Sequence, residues 1–183
     1  LHLKSSTFYK YMADRLEKNK NIKILKGKEI NKIKKFTRKN KVIIGKYEYE
    51  CEFLFDSRPS LIKKSKGLFQ HFVGYEVTFY KNILNNKQVT FMDFQSFSNG
   101  INFMYILPFS SKKALFESTY FSNRSFSRLK YKKNIIKYLD NNFPNVKYKI
   151  NFKEEGSLPM FKHNVKQQFN YFPIGIPGNW LKS

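Results

Sequence analysis

Four successive runs rich in aromatic and β-branched residues occupy the middle of the sequence, and they constrain the fold more than any other feature. The runs cover residues 69–80, 88–93, 101–107 and 113–120. Residues of these types favour pleated strands. Asn85-Asn86, Ser98-Asn99-Gly100 and residues 108–111 separate the runs and are typical of hairpin loops. The sequence therefore predicts an antiparallel sheet built from these strands.

The flanking segments predict helices and further strands. One helix can begin with Ser5 or Ser6 as its cap and run to about Lys18, and a second is predicted over residues 125–141. The expected apolar faces are Tyr9, Met12, Ala13 and Leu16 in the first helix, and Leu129, Ile135, Ile136 and Leu139 in the second. Short strands are expected at residues 22–25, 30–36, 42–44, 53–55 and 146–152. This order indicates an α/β (α+β) fold in which a cofactor domain carries an inserted substrate sheet.

The strongly basic charge has two explanations. The formal net charge is +22, from 35 Lys and Arg against 13 Asp and Glu residues. Only five of the basic residues are Arg, and Lys, Asn, Ile, Phe and Tyr are enriched together, as AT-rich codons would produce. Nucleic-acid recognition favours the bidentate guanidinium group, so we expect no nucleic-acid partner. Attraction to anionic lipid headgroups stays open.

Several familiar chemistries are excluded by the residues present. The three histidines, at positions 2, 71 and 163, lack metal-ligand spacing, so no metal site is expected. Hydrolase and nucleotidase motifs of the forms G-x-S-x-G and G-x-x-x-x-G-K-[ST] do not occur. Cys51 is the sole cysteine, which excludes an internal disulfide and favours a reducing, cytosol-facing location. No run approaches the ~18 apolar residues of a spanning helix.

Acidic residues inside apolar segments are the best candidates for chemistry because acids are rare in this chain. Asp93, Glu117 and Glu155 qualify. Each could simply pair with a lysine or face solvent at alternate strand positions. Alternatively, burial among some of the 20 Phe and 12 Tyr residues could raise the pKa of a carboxyl group, so that it donates a proton near neutral pH. Residue types alone leave both readings open.

A series of short motifs follows in order from Gln70 to Gly178. The matching segments are Q-x-F-x-G-x-x-V at 70–77, Met92-Asp93-Phe94, F-x-Y-x-L-P-F-S at 103–110, A-L-x-E-x-T-x-F-S at 114–122, E-x-G-x-[IL]-P from Glu154, and Ile174-Gly175-Ile176-Pro177-Gly178. Each is weak alone, but in this order the set resembles the lycopene cyclase family. The chain departs from the family pattern at Gln95, where many members have Arg, at Ser118, which replaces a second acid, and at Asn179, where a further Gly is common.

The resemblance implies a fold, a reaction and its site. The fold is part of a two-domain FAD/NAD(P)-binding flavoprotein, with the antiparallel sheet in its substrate domain. The family converts the linear ends of lycopene into β-ionone rings without net redox change, using reduced FAD maintained by NAD(P)H. Glu117 is expected to be the general acid, with Asp93 and Glu154 as second candidates. Gly175 and Gly178 are expected near the flavin.

The resemblance also suggests how the chain is organised. Residues 1–60 would complete an FAD-binding domain, 61–155 would form the substrate sheet and its helix, and 156–183 would return toward the flavin. Because the chain starts at Leu1 and lacks the G-x-G-x-x-G fingerprint, we expect a central fragment that by itself neither holds FAD nor turns over. A lipophilic substrate suggests peripheral attachment to the inner face of a bacterial membrane.

Other functions remain open from the sequence. The nearest is another flavoprotein of the same architecture, such as a geranylgeranyl reductase or an aromatic hydroxylase. A basic membrane- or RNA-binding module without catalysis is a second, and an inactive relative is a third. Whether one or both ends of the polyene are cyclised, the ring type and the oligomeric state are not determined by the sequence.

Overall fold

The structure, a computed structural model, describes residues 3–58, 67–96, 100–162, 165 and 168–180. The fold is mixed α/β, with more strand than helix and largely antiparallel pairing, as the sequence predicts. The chain divides into two compact units. One consists of Leu1–Arg58 with Val165–Gly178, and the other of Pro59–Asn164 with Asn179–Ser183. The functional assignment of segments 1–60, 61–155 and 156–183 stays a prediction.

The first unit contains a helix and two small sheets. Helix α1 (Ser5–Glu17) is followed by β1 (Lys32–Lys35), β2 (Asn40–Ile44) and β3 (Tyr47–Cys51), which pair antiparallel in that order. Strand β4 (Leu54–Asp56) pairs in parallel with β10 (Tyr171–Pro173), the last strand among the described residues. A 3-10 turn, Ile176–Gly178, follows β10.

Some local predictions for this unit are wrong. Residues 22–25 form no strand, because no neighbouring strand supplies the ladder that would satisfy their backbone groups. Helix α1 already includes Ser5, and its N-cap is Lys4, which makes no side-chain capping hydrogen bond. None of the α1 residues is buried, so its predicted apolar face does not form part of a core. Strand β3 was missed because its alternating Tyr and Glu residues are polar.

The second unit is built on one five-stranded antiparallel sheet. Its strands are β5 (Phe69–Phe79), β6 (Thr90–Gln95), β7 (Ile101–Pro108), β8 (Lys113–Ser122) and β9 (Tyr148–Pro159), in the spatial order β6-β7-β8-β5-β9. All of the predicted central strands are present, which confirms the antiparallel sheet. The predicted return strand is longer than expected, since β9 continues through Glu154 to Pro159.

Helix α2 (Arg128–Asn142) covers one face of this sheet. Ser127 caps it by accepting a hydrogen bond from the Lys130 backbone N–H. The buried helix residues are Tyr131, Ile135, Tyr138 and Leu139, which recur at the spacing of one helical face. The predicted face is therefore partly wrong: Leu129 is 60% exposed, because it lies on the other side of the helix.

The hydrophobic core lies between α2 and the sheet. From the sheet it takes alternate residues of β5, β7 and β8: Val73, Tyr75, Val77, Phe79, Met104, Ile106, Ala114, Phe116 and Tyr120. Alternation leaves the intervening residues on the opposite face. Within the described ranges, no helix combines the length and apolarity needed to cross a membrane.

Candidate active site on the sheet face opposite helix α2

One row of residues crosses four strands of the large sheet. Tyr105 on β7 pairs with Glu117 on β8, Glu117 pairs with Gly74 on β5, and Gly74 pairs with Glu154 on β9. Directly opposed residues of antiparallel strands point to the same face. Phe116 and Ser118, which flank Glu117, belong to the helix side, so the row lies on the other face. We call it the Glu117 face.

Glu117 lies in surroundings that favour its neutral form. Burial raises the pKa of Glu117 to about 7, a hydrogen bond from Thr119 opposes that rise, and the charge of Glu154 adds to it. Thr119 Oγ1 donates to Glu117 Oε1 at 3.0 Å. Within the described part of the chain, Glu117 has no salt-bridge partner, whereas Glu76 on the same face pairs with Lys113 at 2.9 Å. A carboxyl group with these properties can act as an acid near neutral pH.

Aromatic rings surround the Tyr105 end of the row. The Phe103 ring contacts the Phe94, Tyr105 and Phe121 rings at centroid distances of 5.8, 5.1 and 5.5 Å. Tyr105 also contacts Phe91 at 5.2 Å. Burial raises the pKa of Tyr105, and the nearby Glu117 charge raises it further. Phe103 is fully buried, while Phe91 is 75% exposed, so this cluster extends from the sheet to the surface.

Gly74 sits between the two carboxylates of the row. A Cβ at this position would lie 3.1 Å from Leu115 Cδ1 and 3.2 Å from Glu154 Cγ. These contacts show that the Glu154 side chain leans over the glycine backbone, in the direction of β8. Glu154 itself is exposed. The structure therefore brings Glu117 and Glu154, two of the predicted site residues, onto one face.

A bulge in β9 decides which acid reaches that face. Gly74 pairs with Glu154, but the next pair is Tyr75 with Phe152, so Lys153 is the extra residue. Glu155 then pairs with Val73 and points to the helix side, where Arg128 binds it through two hydrogen bonds of 2.7 and 2.9 Å. Glu155 thus forms an ion pair, one of the alternatives that the sequence left open, although its partner is Arg128 and not a lysine.

Asp93, the third predicted acid, lies on the helix side of the sheet. It pairs with the core residue Met104 and follows an irregularity in β6 at which Met92 has φ 63°. Its Oδ2 accepts a 2.6 Å hydrogen bond from the hydroxyl group of Tyr138 on α2. Burial and the Asp93 carboxylate together raise the pKa of Tyr138. The structure therefore does not bring Asp93 together with Glu117 and Glu154.

Gly175 and Gly178 belong to the first unit. Gly175 has φ +64°, and a Cβ there would meet no atom within 4 Å. The Gly178 N–H donates to Gly175 O at 3.0 Å and closes the turn after β10. Gly175 therefore lies at an open position of a tight turn that the Gly178 N–H closes.

An ionic cluster joins β4 to β10 in the same unit. Asp56 is buried and accepts hydrogen bonds from Arg58 Nε and Nη2 at 2.9 and 2.8 Å. The Tyr171 hydroxyl donates to Asp56 Oδ2 at 3.0 Å. Burial favours the neutral form of Asp56, but the hydrogen bonds from Arg58 and Tyr171 outweigh it and lower its pKa. The residues of this cluster are not among the site residues predicted from the sequence.

Three further residues of this site, Thr119, Tyr105 and Gly74, were not predicted from the sequence. Thr119 could have been found, because it lies two positions from Glu117 on the same strand and must share its face. Tyr105 and Gly74 could not, since only the register between strands places them opposite Glu117.

The comparison with protein-family models agrees with the motifs. The family model described as lycopene cyclase protein matches residues 1–181. No curated protein matches the sequence significantly. Among solved structures, the chain is similar to the crystal structure of tetracycline destructase Tet(51), with a TM-score of 0.41 and 10% sequence identity over 81% of this chain and 44% of that one. The chain thus spans less than half the length of that protein.

Proposed function

The chain belongs to the lycopene cyclase family, and we propose that it forms part of a lycopene β-cyclase. The complete enzyme would close the linear ends of lycopene into β-ionone rings by acid catalysis, without net redox change. The single observation that carries this proposal is the partly buried Glu117, with its pKa raised to about 7, on a face lined with aromatic rings.

Glu117 would start the reaction as the general acid. With a pKa near 7, a substantial fraction of the carboxyl groups carries a proton at neutral pH. General acids work best when their pKa lies near the operating pH. Proton transfer to the terminal double bond leaves a carbocation, which the neighbouring double bond attacks to close the ring.

The aromatic residues would protect and stabilise that carbocation. Water would trap the cation as an alcohol, so the site needs apolar walls. Phe91, Phe103 and Tyr105 supply such surfaces beside Glu117. Each ring face that meets the cation contributes about 0.5–2 kcal/mol.

Asp93 has a different role in this proposal. Its carboxylate is bound by Tyr138 on the helix side and cannot reach a substrate on the Glu117 face without leaving that bond. The Asp93–Tyr138 hydrogen bond links β6 to α2. It thereby fixes the position of Phe91 and Phe94, which lie on β6 on either side of Asp93. We therefore propose Asp93 as a positioning residue.

FAD and NAD(P)H are the proposed cofactors of the complete enzyme. The turn at Gly175 fits part of a flavin site, since its open, side-chain-free backbone lets a flat ring system approach closely. Gly175 and Gly178 would provide this contact surface. A reduced flavin, when bound, supplies electron density that stabilises positive charge. The G-x-G-x-x-G segment that holds the flavin phosphates in such proteins does not occur in these residues.

The proposed substrate and location follow from the same reaction. Lycopene or a related linear carotenoid resides in the bilayer, so we propose peripheral attachment to the inner membrane. The net charge of +22 would favour docking on anionic headgroups.

The test is a product assay with the full-length protein in cells that accumulate lycopene. We expect β-ring carotenoids to replace lycopene. A reductase would instead yield polyenes with added hydrogen, and a hydroxylase would yield oxygenated products. Unchanged lycopene in cells that contain soluble, flavin-loaded protein would contradict the proposal. Tight, salt-sensitive polyanion binding without any turnover would support a basic binding module.

A further inference from the structure

The row that crosses the sheet contains a second carboxylate, Glu154. Its proximity to Glu117 depends on Gly74. Glu117 and Glu154 are separated by one strand, so their backbone positions are about 9–10 Å apart. The strand between them presents only Gly74. Because Glu154 leans over Gly74, the gap between the carboxylates is smaller than the gap between the backbones.

The two carboxylates lie in unlike surroundings. Glu117 is partly buried, which favours its neutral form, while Glu154 is exposed. Pairs of acids separated in this way can divide acid and base work between them. Two other groups on this face are unsuitable bases: Glu76 is bound by Lys113, and Tyr105 carries its proton at neutral pH.

We propose that Glu154 is the catalytic base that removes the ring proton, and that Gly74 places it within reach of the ring formed beside Glu117. This inference rests on the proposed cyclase function. The polyene end would lie along the row, with its reacting carbons between the two carboxylates.

Glu117 and Glu154 together account for every proton that the reaction transfers. The O–H bond of Glu117 breaks and a C–H bond forms at the terminal double bond. Ring closure makes one C–C bond and leaves a carbocation. A C–H bond next to the cation then breaks, its electron pair becomes the ring double bond, and the proton passes to Glu154. After the product has left, transfer of one proton from Glu154 to Glu117 through water restores both groups without any oxidant or reductant.

The test uses the full-length enzyme with lycopene in vesicles and compares Glu154→Gln with Glu155→Gln. The neighbouring Glu155 is a matched control because it lies on the helix side, bound to Arg128. We expect Glu154→Gln to lower the rate of β-ring formation by about 100-fold, the usual range for loss of a general base. The trapped cation should also yield hydroxylated or isomeric rings. Glu155→Gln should retain the rate within about twofold.

Gly74→Ala is a second variant that keeps both carboxyl groups. The new methyl group must displace the Glu154 side chain, which is flexible, or Leu115 Cδ1. We expect a rate loss of about 10-fold or more with the same change in products. This variant decides the question if Glu154→Gln does not fold.

The pH profile tests whether the Glu154 charge acts on Glu117, as a position next to the reacting carbons requires. Without the Glu154 charge, Glu117 should lose its proton at lower pH, so the alkaline fall in rate should move to lower pH in Glu154→Gln. The inference is overturned if Glu154→Gln or Gly74→Ala keeps the wild-type rate, products and pH profile while the wild type cyclises lycopene. If the wild type itself forms no ring, the proposed function has failed instead.

Discussion

Glu154 and Glu155 are neighbours in sequence but lie on opposite faces of the same sheet. Glu154 pairs with Gly74 on the Glu117 face, and Glu155 pairs with Val73 on the helix side. The extra residue Lys153 determines which of the two acids points to which face, because one inserted residue reverses the direction of the side chains that follow it. One acid is thereby available to a substrate, while the other forms an ion pair with Arg128.

Glu117→Gln in the full-length enzyme should abolish acid catalysis. Glutamine keeps the shape of the side chain but cannot donate a proton to a double bond, so we expect the rate of ring formation to fall by at least ~100-fold. Carotenoid products from lycopene-accumulating cells, analysed by chromatography, measure this effect. Unchanged β-carotene formation would remove Glu117 from the mechanism.

The pH dependence of stability should also report on Glu117. Its pKa is raised from an ordinary value of 4.5 to about 7 in the folded protein, so the folded state binds more protons than the unfolded state between these pH values. Stability is therefore expected to fall as the pH rises from about 4.5 to 7, by on the order of 3 kcal/mol from this group. Urea unfolding across this range should show the slope in the wild type. If the stability of Glu117→Gln falls by the same amount over this pH range, the slope does not come from Glu117 and the assignment is contradicted.

Asp93→Ala and Tyr138→Phe should have similar and non-additive effects. Each removes one side of the 2.6 Å hydrogen bond between β6 and α2. We expect each to lower the free energy of unfolding by about 1.5–3 kcal/mol, as for other hydrogen bonds to charged groups. The double variant should cost little more than either single one, as a double-mutant cycle would measure. Residual activity should follow the amount of folded protein. Complete loss of turnover in well-folded Asp93→Ala would instead indicate direct chemistry.

Leu139→Ala should destabilise the second unit without touching the Glu117 face. Leu139 is fully buried between α2 and the sheet, so its truncation leaves a cavity and should cost about 2–5 kcal/mol. Leu129→Ala, on the exposed side of the same helix, is the matched control and should change stability by less than about 0.5 kcal/mol. Chemical denaturation measures both. Equal effects would mean that the orientation of α2 is wrong.

Tyr171→Phe should weaken the link between β4 and β10. The change removes a 3.0 Å hydrogen bond to the buried Asp56 carboxylate, and we expect a cost of about 1–3 kcal/mol. Because the pKa of Asp56 is lowered in the folded protein, its contribution is present at neutral pH and is lost as the pH falls through its titration. Tyr9→Phe, at a 69% exposed position, serves as the control and should be neutral in thermal unfolding.

Local sequence patterns predicted most of the elements but not their limits. The aromatic and β-branched runs marked β5 to β8 correctly, since these residues pack well on a pleated surface. Residues 22–25 are also rich in branched apolar residues but have no partner strand, and they form no strand. Strand β9 continues through the polar segment Lys153-Glu154-Glu155 because β5 supplies its hydrogen-bonding partner.

The sequence by itself determined the family, through the order of its motifs, and it determined that Glu117 is a rare acid among apolar strand residues. Only the tertiary structure decided which acids share a face with it. That outcome depends on strand register and on the Lys153 bulge, which join residues distant in sequence. The side-chain direction alternates at every strand position, so a shift of one residue reverses the face, and no local pattern in this chain records that shift.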